Sequence, residues 1–274
     1  MKWFAALVMG CLAAPVLAGT LELDGPLIQG SLIFGTTEAG AQVSLDGRPL
    51  RVSPSGRFLL GFGRDAKPEA KLEVVHPDGS RETRSLPIES RTYKVQRIDG
   101  LPPKLVTPDD SAMARIKADI AQVAKARAGN RAEALFESGF AWPATGIITG
   151  VYGSQRILNG KPRRPHFGLD VAGPEGTPIM APADGIVTLA EPDMYFSGGT
   201  LILDHGHGLS SSLLHLKELL VAPGERVSQG QVVATMGATG RVTGVHLDWR
   251  MNWFTERLDP AFLVGPMPPS DTNN

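Results

Sequence analysis

Glycine and proline interrupt this chain at short intervals, with 32 glycines and 22 prolines among its 274 residues. Both residues end regular elements, so their frequency favours short strands joined by tight turns over long helices. Hydrophobic residues make up 42% of the sequence, a normal globular fraction that allows a packed core. The length allows two domains of ordinary size. We therefore predict a mainly β protein with more than one domain.

The N-terminal segment predicts export from the cytoplasm. A basic start, Met1-Lys2, precedes an apolar run from Trp3 to Ala18 that ends on small residues. This order is typical of a cleaved secretory signal, and the run is short for a permanent membrane span. We predict a signal peptide over residues 1–18 and a periplasmic or secreted mature protein. Lipidation at Cys11 is an alternative, but it leaves only ten residues before the modified cysteine.

The composition limits both the partners and the metal chemistry. The formal net charge is −1, so no basic excess indicates nucleic acid as a partner. Cys11 is the single cysteine, and signal cleavage would leave a mature protein without disulfides or thiolate ligands. A metal site would then use histidine and carboxylate side chains. Beyond residue 18, no segment is long and apolar enough to predict a stable membrane span.

Residues 19–100 carry the turn and strand signals of a small β-sandwich. Asp46-Gly47 stands between two alternating apolar runs, which is a strong hairpin signal. Pro77-Asp78-Gly79 marks another turn directly after an apolar run. Short strands at this spacing are typical of two packed antiparallel sheets.

Residues 101–139 are predicted to form a linker that contains a helix. Thr107 is the predicted N-cap with Pro108 in the first turn, and Gly129 ends the helical pattern. Apolar residues recur at helical spacing at Met113, Ile116, Ile120 and Val123. This stripe predicts a helix that docks on one of the domains. A partner-binding heptad is the alternative, but the stripe is short for a coiled coil.

Residues 140–265 are predicted to form a second β-rich domain, followed by a disordered tail over residues 266–274. Five of the six histidines of the chain lie between residues 166 and 246. Clustering of this kind suggests a metal site in an exported chain without thiolates. Glycine-rich stretches near these histidines predict loops that leave a cleft open to a substrate.

The candidate donors are histidines and carboxylates. His166 is followed four residues later by Asp170, and His246 is followed two residues later by Asp248. Residues two apart on a strand face the same side, so His246 and Asp248 can point into one cleft. His215 lies near the end of the neighbouring predicted strand. Imidazoles and carboxylates together suit a borderline cation such as zinc.

Several ordered motifs carry a resemblance to a known family. They are His166–Asp170, Gly176–Pro178, Ala181–Gly185, Leu203–Gly206, Leu214–Leu216, Pro223-Gly224 and Gly240–His246. This set, over roughly residues 140–265, resembles the lysostaphin-type zinc metallopeptidases. The resemblance implies an antiparallel β-sheet domain with its active site in a groove. It also implies hydrolysis of peptide bonds in bacterial peptidoglycan, with one zinc ion as the cofactor.

The resemblance assigns roles to individual residues. His166 and Asp170 match the first two zinc ligands of the family, and Asp248 stands where the family usually has the third, a histidine. His215 and His246 match histidines linked with general acid/base work and with stabilisation of the transition state. Zinc chemistry of this kind polarises the scissile carbonyl and lowers the pKa of a bound water.

Asp248 leaves two hypotheses open. A carboxylate can bind zinc at a similar distance, so the site can hold zinc through His166, Asp170 and Asp248 and work as an enzyme. Alternatively, the metal is weak or absent, and the domain binds peptidoglycan or activates another cell-wall hydrolase. An adhesion function of the N-terminal sandwich is a third possibility.

Other candidate residues have simpler interpretations. His205 and His207, each followed by glycine, are predicted to lie at a solvated hairpin tip. Arg163-Arg164 is predicted to be a solvated basic pair, with binding of stem-peptide carboxylates as the alternative. Tyr152 stands where the family often has a tyrosine near the oxyanion. The strand alternation places Trp249 and Trp253 in the core, on the face opposite Asp248.

Overall fold

A computed structural model describes residues 21–100 and 106–268 of the chain. The predicted signal peptide, Cys11 and the end of the predicted tail lie outside the described residues. Within the described ranges, no helix is long and apolar enough to cross a membrane. The mainly β fold class is confirmed, with one α-helix and 20 strands in these ranges.

The N-terminal region forms two antiparallel sheets. The strands of the first are β1 (Glu22–Asp24), β2 (Leu32–Thr36) and β5 (Arg57–Gly61), in that order. The second has the order β4 (Arg48–Leu50), β3 (Gln42–Leu45), β6 (Glu69–Val75) and β7 (Arg81–Pro87). Asp46 and Gly47 join β3 to β4 with φ values of 50° and 78°, as the hairpin prediction requires.

A strand after these two sheets pairs with the C-terminal half of the chain. Strand β8 (Val95–Ile98) runs parallel to β10 (Gln155–Leu158), which is followed by the short strand β11 (Lys161–Pro162). The register places Gln96 beside Arg156. The segment between the two halves is therefore part of a sheet, not only a spacer.

The linker helix α1 covers Asp110–Arg127, and its predicted start is wrong. Asp109, not Thr107, is the N-cap, because its carboxylate accepts a hydrogen bond of 2.8 Å from the Ala112 N–H. An aspartate at this position caps the helix and also has a favourable interaction with the helix dipole. The predicted end near Gly129 is confirmed.

Only part of the predicted apolar stripe docks. Ile116 and Ala126 are buried, and Ala126 and Val123 pack against Ile202 of the large sheet. Ile120 is 60% exposed and Met113 is 38% exposed, so these two residues do not belong to the contact. Polar contacts add to this packing, because Arg115 pairs with Asp193 and Asp119 accepts a hydrogen bond from the Tyr195 N–H, so a narrower apolar stripe is enough.

The C-terminal half is built on one large antiparallel sheet. Its main order is β17 (Arg226–Val227), β14 (Gly185–Met194), β15 (Gly198–Gly206), β16 (Leu209–Leu219), β19 (His246–Trp253), β12 (Leu169–Ala172) and β9 (Ile147–Gly150). Strands β13 (Pro178–Met180) and β18 (Val232–Met236) pair together beside β16, and β20 (Glu256–Leu258) pairs with β19. Short 3-10 helices cover Leu135–Ser138 and Pro260–Phe262.

The two faces of β19 have different surroundings. Trp249 and Trp253 are buried in the main core, which confirms their predicted position. The alternate residues, among them Asp248 and Arg250, face the other side. Arg127 at the end of α1 donates a 2.7 Å hydrogen bond to Ser212, the register partner of Arg250. Helix α1 therefore lies on the same face as Asp248, beside it and not over it.

The N-terminal sheets pack directly against the large sheet. A Cβ added to Gly61 would lie 2.7 Å from the ring of Trp253, so only glycine allows this approach. Arg91 pairs with the buried Asp259 at 2.9 Å, and Arg64 donates to the carbonyl of Gly153 at 2.8 Å. One continuous apolar cluster connects both halves.

Candidate metal centre

Two neighbouring strands and the loop before them assemble three potential ligands. Asp170 on β12 is the register partner of Asp248 on β19, so the two carboxylates lie side by side. His166 precedes β12 and is buried with both of them. One donor atom from each residue lies within 4.8 Å of the others. The structure thus brings together the three residues that the sequence predicts as zinc ligands.

Glycine makes room for both carboxylates. A Cβ on Gly150 would lie 2.1 Å from an oxygen of Asp170, and one on Gly168 would lie 1.9 Å from an oxygen of Asp248. Either substitution would displace the carboxylate from its place. Two glycines of the predicted motifs and strands therefore fix the positions of the candidate donors.

His166 and Asp170 have the unsatisfied atoms that a cation would bind. His166 Nε2 lies 3.0 Å from Asp170 Oδ1, but the pair lacks the alignment of a hydrogen bond. Among the described residues, neither ring nitrogen of His166 nor this oxygen has a hydrogen-bond partner. Buried polar atoms normally have one, so the donor set fits a metal ion.

Asp248 has a different environment, because Arg250 binds it. Arg250 Nε lies 3.0 and 3.1 Å from the two oxygens of Asp248, and Nη2 lies 2.5 Å from Oδ2. Burial alone would raise the pKa of Asp248, but Arg250 and His166 bring that pKa well below its usual range. Asp248 is therefore ionised, and its charge is balanced by a guanidinium.

The sequence reasoning missed this arginine, although the strand period places Arg250 on the same face as Asp248. It also missed Arg156 on β10, whose Nη2 lies 3.3 Å from Asp170 Oδ2. Each carboxylate of the site thus has a guanidinium beside it. The two carboxylates and the two guanidinium groups together carry no net charge, so their combined electrostatic effect on the space between them is small.

Two further histidines stand beside the donors. The rings of His215 and His246 are 4.8 Å apart, and His246 Nε2 lies 3.9 Å from Asp170 Oδ1. His215 Nδ1 donates to the carbonyl of Thr239, and His246 Nδ1 donates to that of Gly244, each at 2.9 Å. A carbonyl only accepts, so in the neutral ring Nε2 is the basic nitrogen of both histidines.

His215 is held as a neutral imidazole. Burial lowers its pKa to about 4, against an opposing effect of the Asp248 charge. Its φ of 65° is uncommon for a residue other than glycine, which indicates a constrained position. With Nδ1 donating to a carbonyl, the neutral imidazole offers Nε2 as a hydrogen-bond acceptor.

A groove of about 220 Å³ runs beside this centre. Asp170, His215 and His246 form one part of its lining. Arg156 and Arg241 are also exposed to it, and so is Gln96 of β8. The groove therefore gives access to the candidate donors and to both histidines.

The second histidine pair lies elsewhere, and its predicted exposure is wrong. His205 and His207 are both buried. His205 bonds to the carbonyl of Asp184 at 2.6 Å and to the hydroxyl of Ser211 at 2.7 Å, and His207 Nε2 donates to the carbonyl of Ala132 at 3.1 Å. The segment before Leu135–Ser138 covers this turn, so the pair is structural.

Tyr152 does not offer its hydroxyl to the groove in this arrangement. The hydroxyl donates to the carbonyl of Arg257 at 2.6 Å, and the ring packs between Tyr93 and Phe167. Burial raises the pKa of the hydroxyl well above its usual range, so Tyr152 stays protonated. The oxyanion role implied by the resemblance has no support from these contacts.

Arg163 is also engaged, contrary to the prediction of a solvated basic pair. Its Nη2 donates to the carbonyl of Val106 at 2.8 Å, which ties it to the linker. Arg164 is exposed, as predicted.

Three buried residues that could hold a metal ion lie beside two histidines in an open groove, an arrangement that fits a metallopeptidase. Residues 164–260 match the profile of Peptidase family M23, and this part of the chain is a domain of that lysostaphin-type family. The recognised resemblance is thereby confirmed.

Similar proteins cover different shares of the chain. A structure of a candidate M23 peptidase from Pseudomonas aeruginosa has a TM-score of 0.67 and 28% identity, covering 87% of this chain and 95% of that one. Peptidoglycan DD-endopeptidase ShyA of Vibrio cholerae is 40% identical over 87 residues, which are 32% of this chain and 20% of ShyA. The lipoprotein NlpD/LppB homolog of P. aeruginosa is 36% identical over 102 residues, 37% of this chain and 32% of the lipoprotein. The chain thus spans a third or less of the length of both sequence relatives.

Proposed function

We propose that this protein is a zinc-dependent endopeptidase that hydrolyses peptide bonds of bacterial peptidoglycan outside the cytoplasm. The observation that carries the proposal is the buried trio of His166, Asp170 and Asp248, in which both ring nitrogens of His166 and Oδ1 of Asp170 lack hydrogen-bond partners among the described residues. The likeness to ShyA, a peptidoglycan DD-endopeptidase, supports the substrate class. The N-terminal sequence supports an export route.

The chain's own residues supply the proton transfers. When bound, zinc contributes Lewis acidity at the scissile carbonyl and makes water a better nucleophile. His246 and His215 present their Nε2 atoms to the groove, where one can accept a proton from the attacking water. The hydroxyl adds to the carbonyl carbon as that proton leaves, and the same proton then goes to the leaving amine as the C–N bond breaks. His215 stays a neutral imidazole, because burial lowers its pKa to about 4.

Arg250 favours a second candidate function. Its guanidinium occupies both oxygens of Asp248, which makes a third zinc ligand less accessible. If the guanidinium takes the place of the cation, the domain binds peptidoglycan without cutting it or activates another cell-wall hydrolase. The two functions differ in metal content and in product formation.

The test uses the mature full chain. Metal analysis of the purified protein should give one zinc per chain, and incubation with purified sacculi should release soluble muropeptides that chelation abolishes. His207→Ala is the matched control, because it removes a buried histidine outside the donor set. A protein without zinc that pulls down with sacculi but releases nothing would favour the binding function.

A further inference from the structure

One wall of the groove comes from outside the M23 domain. Strand β8 precedes residues 164–260, yet Gln96 and Ile98 of this strand line the groove with His246. Parallel pairing with β10 makes Gln96 the register partner of Arg156, so both side chains face the same space. The segment that joins the two halves of the molecule thus takes part in the site.

Two polar atoms on this wall lack partners. Gln96 Oε1 and Arg156 Nε are both buried, and neither has a hydrogen-bond partner in the described part of the chain. One is an acceptor and the other is a donor. Each of these atoms is costly to bury unless a ligand completes its hydrogen bond.

The groove also gathers positive charge. Arg241 also lines it, and its guanidinium lies 4.2 Å from the centre of the Phe196 ring. Burial, and then the charge of Arg156, lowers the pKa of Arg241 to about 10. Asp170 offsets part of the charge of Arg156, but its contact is with Nη2 and leaves the buried Nε without a partner among the described residues. Two guanidinium groups that repel each other in one groove favour the binding of an anionic ligand.

We infer that Gln96, Arg156 and Arg241 form a subsite for a free carboxylate of the peptide substrate, next to the scissile bond. The two guanidinium groups bind the carboxylate, and Gln96 Oε1 accepts an N–H of the same peptide. The position follows from His246 and Asp170, which line the same groove. The inference rests on the proposed peptidase function and specifies which peptides it selects.

The test compares two small peptides that differ only in this charge. Calorimetry measures the binding of Nα,Nε-diacetyl-Lys-D-Ala-D-Ala and of its C-terminal amide to the full chain, in a His246→Ala background that prevents turnover. We expect the free acid to bind at least ~10-fold more tightly than the amide. Arg241→Gln should reduce the affinity for the acid by about 10-fold and leave the amide within about twofold. Gln96→Ala should weaken both peptides alike.

Arg97→Gln is the matched control, because Arg97 is the exposed neighbour of Gln96 on β8 and carries the same charge as Arg241. It should change neither affinity. Equal binding of acid and amide, or an equal loss in Arg97→Gln and Arg241→Gln, would overturn the inference.

Hydrolysis by the protein with His246 intact is measured separately. Selective binding without any cleavage would contradict the proposed function and leave the subsite standing. Cleavage of acid and amide at equal rates would contradict the subsite and leave the function standing.

Discussion

His166, just before strand β12, and His205, on strand β15, are both buried, yet their hydrogen bonding differs. Both ring nitrogens of His205 have partners, in the carbonyl of Asp184 and the hydroxyl of Ser211. Neither nitrogen of His166 has one among the described residues, although Asp170 lies 3.0 Å away. Burial therefore does not distinguish function from structure in this protein. What sets the β12–β19 region apart is that buried atoms without partners among the described residues, the ring nitrogens of His166 and Oδ1 of Asp170, lie together in one candidate donor set.

The largest effect is expected from a substitution that removes a candidate zinc ligand. His166→Ala should abolish zinc binding and reduce kcat/KM for sacculus digestion by about 1,000-fold or more, because the cation loses a ligand. Zinc content and muropeptide release are measured on the same preparation. A variant that retains stoichiometric zinc would show that His166 is not a ligand.

Arg250→Met tests whether zinc and the guanidinium share Asp248. Without zinc, the variant leaves a buried carboxylate unpaired and should lose roughly 3 kcal/mol of unfolding free energy. With zinc bound, Asp248 keeps a cationic partner, so the loss should be clearly smaller. Denaturant unfolding with zinc and with chelator gives both values.

Arg164→Met is the control for that experiment, because Arg164 is exposed and should change stability little in either state. An equal loss for Arg250→Met with and without zinc would show that Asp248 does not bind the metal. That outcome would strengthen the noncatalytic function.

His205→Ala is the corresponding test at a histidine whose two ring nitrogens both have hydrogen-bond partners. Removing this ring takes away the hydrogen bonds that it makes to the carbonyl of Asp184 and to the hydroxyl of Ser211, which should cost about 2 kcal/mol of stability. Zinc content should stay unchanged, because none of the candidate ligands touches His205. Metal loss on this substitution would mean that the two regions are coupled.

The sequence predicts the centre better than its surroundings. His166, Asp170 and Asp248 could be found, because the motif spacing and the two-residue period of a strand are local signals. Arg156 and Gln96 could not, since they reach the groove through the parallel pairing of β8 with β10. That pairing joins segments far apart in the chain, and no local pattern specifies it.

The wrong prediction that His205 and His207 are exposed shows the same limit of local sequence patterns. Glycines after each histidine predict an open turn, and Gly206 does adopt a positive φ of 87°. A Cβ there would lie 1.8 Å from the carbonyl of Glu133, so this glycine allows another segment to cover the turn. Glycine permits both a solvated turn and a close approach, and only the tertiary structure decides between them.

The smallest expected effect is the change in unfolding free energy that comes from protonation of His205. Burial lowers the pKa of His205, against smaller opposing effects of Asp184 and Asp204. A histidine with a folded pKa below its unfolded value binds more protons when unfolded, so the folded state loses stability as the pH falls below about 6.5. Between pH 7.5 and 5.5, the unfolding free energy should fall by about 1 kcal/mol from this group. His205→Asn removes the titration and should flatten that part of the curve, measured by denaturant unfolding at both pH values. An unchanged slope would show that the pH dependence arises at other histidines, such as His215, whose pKa is also lowered.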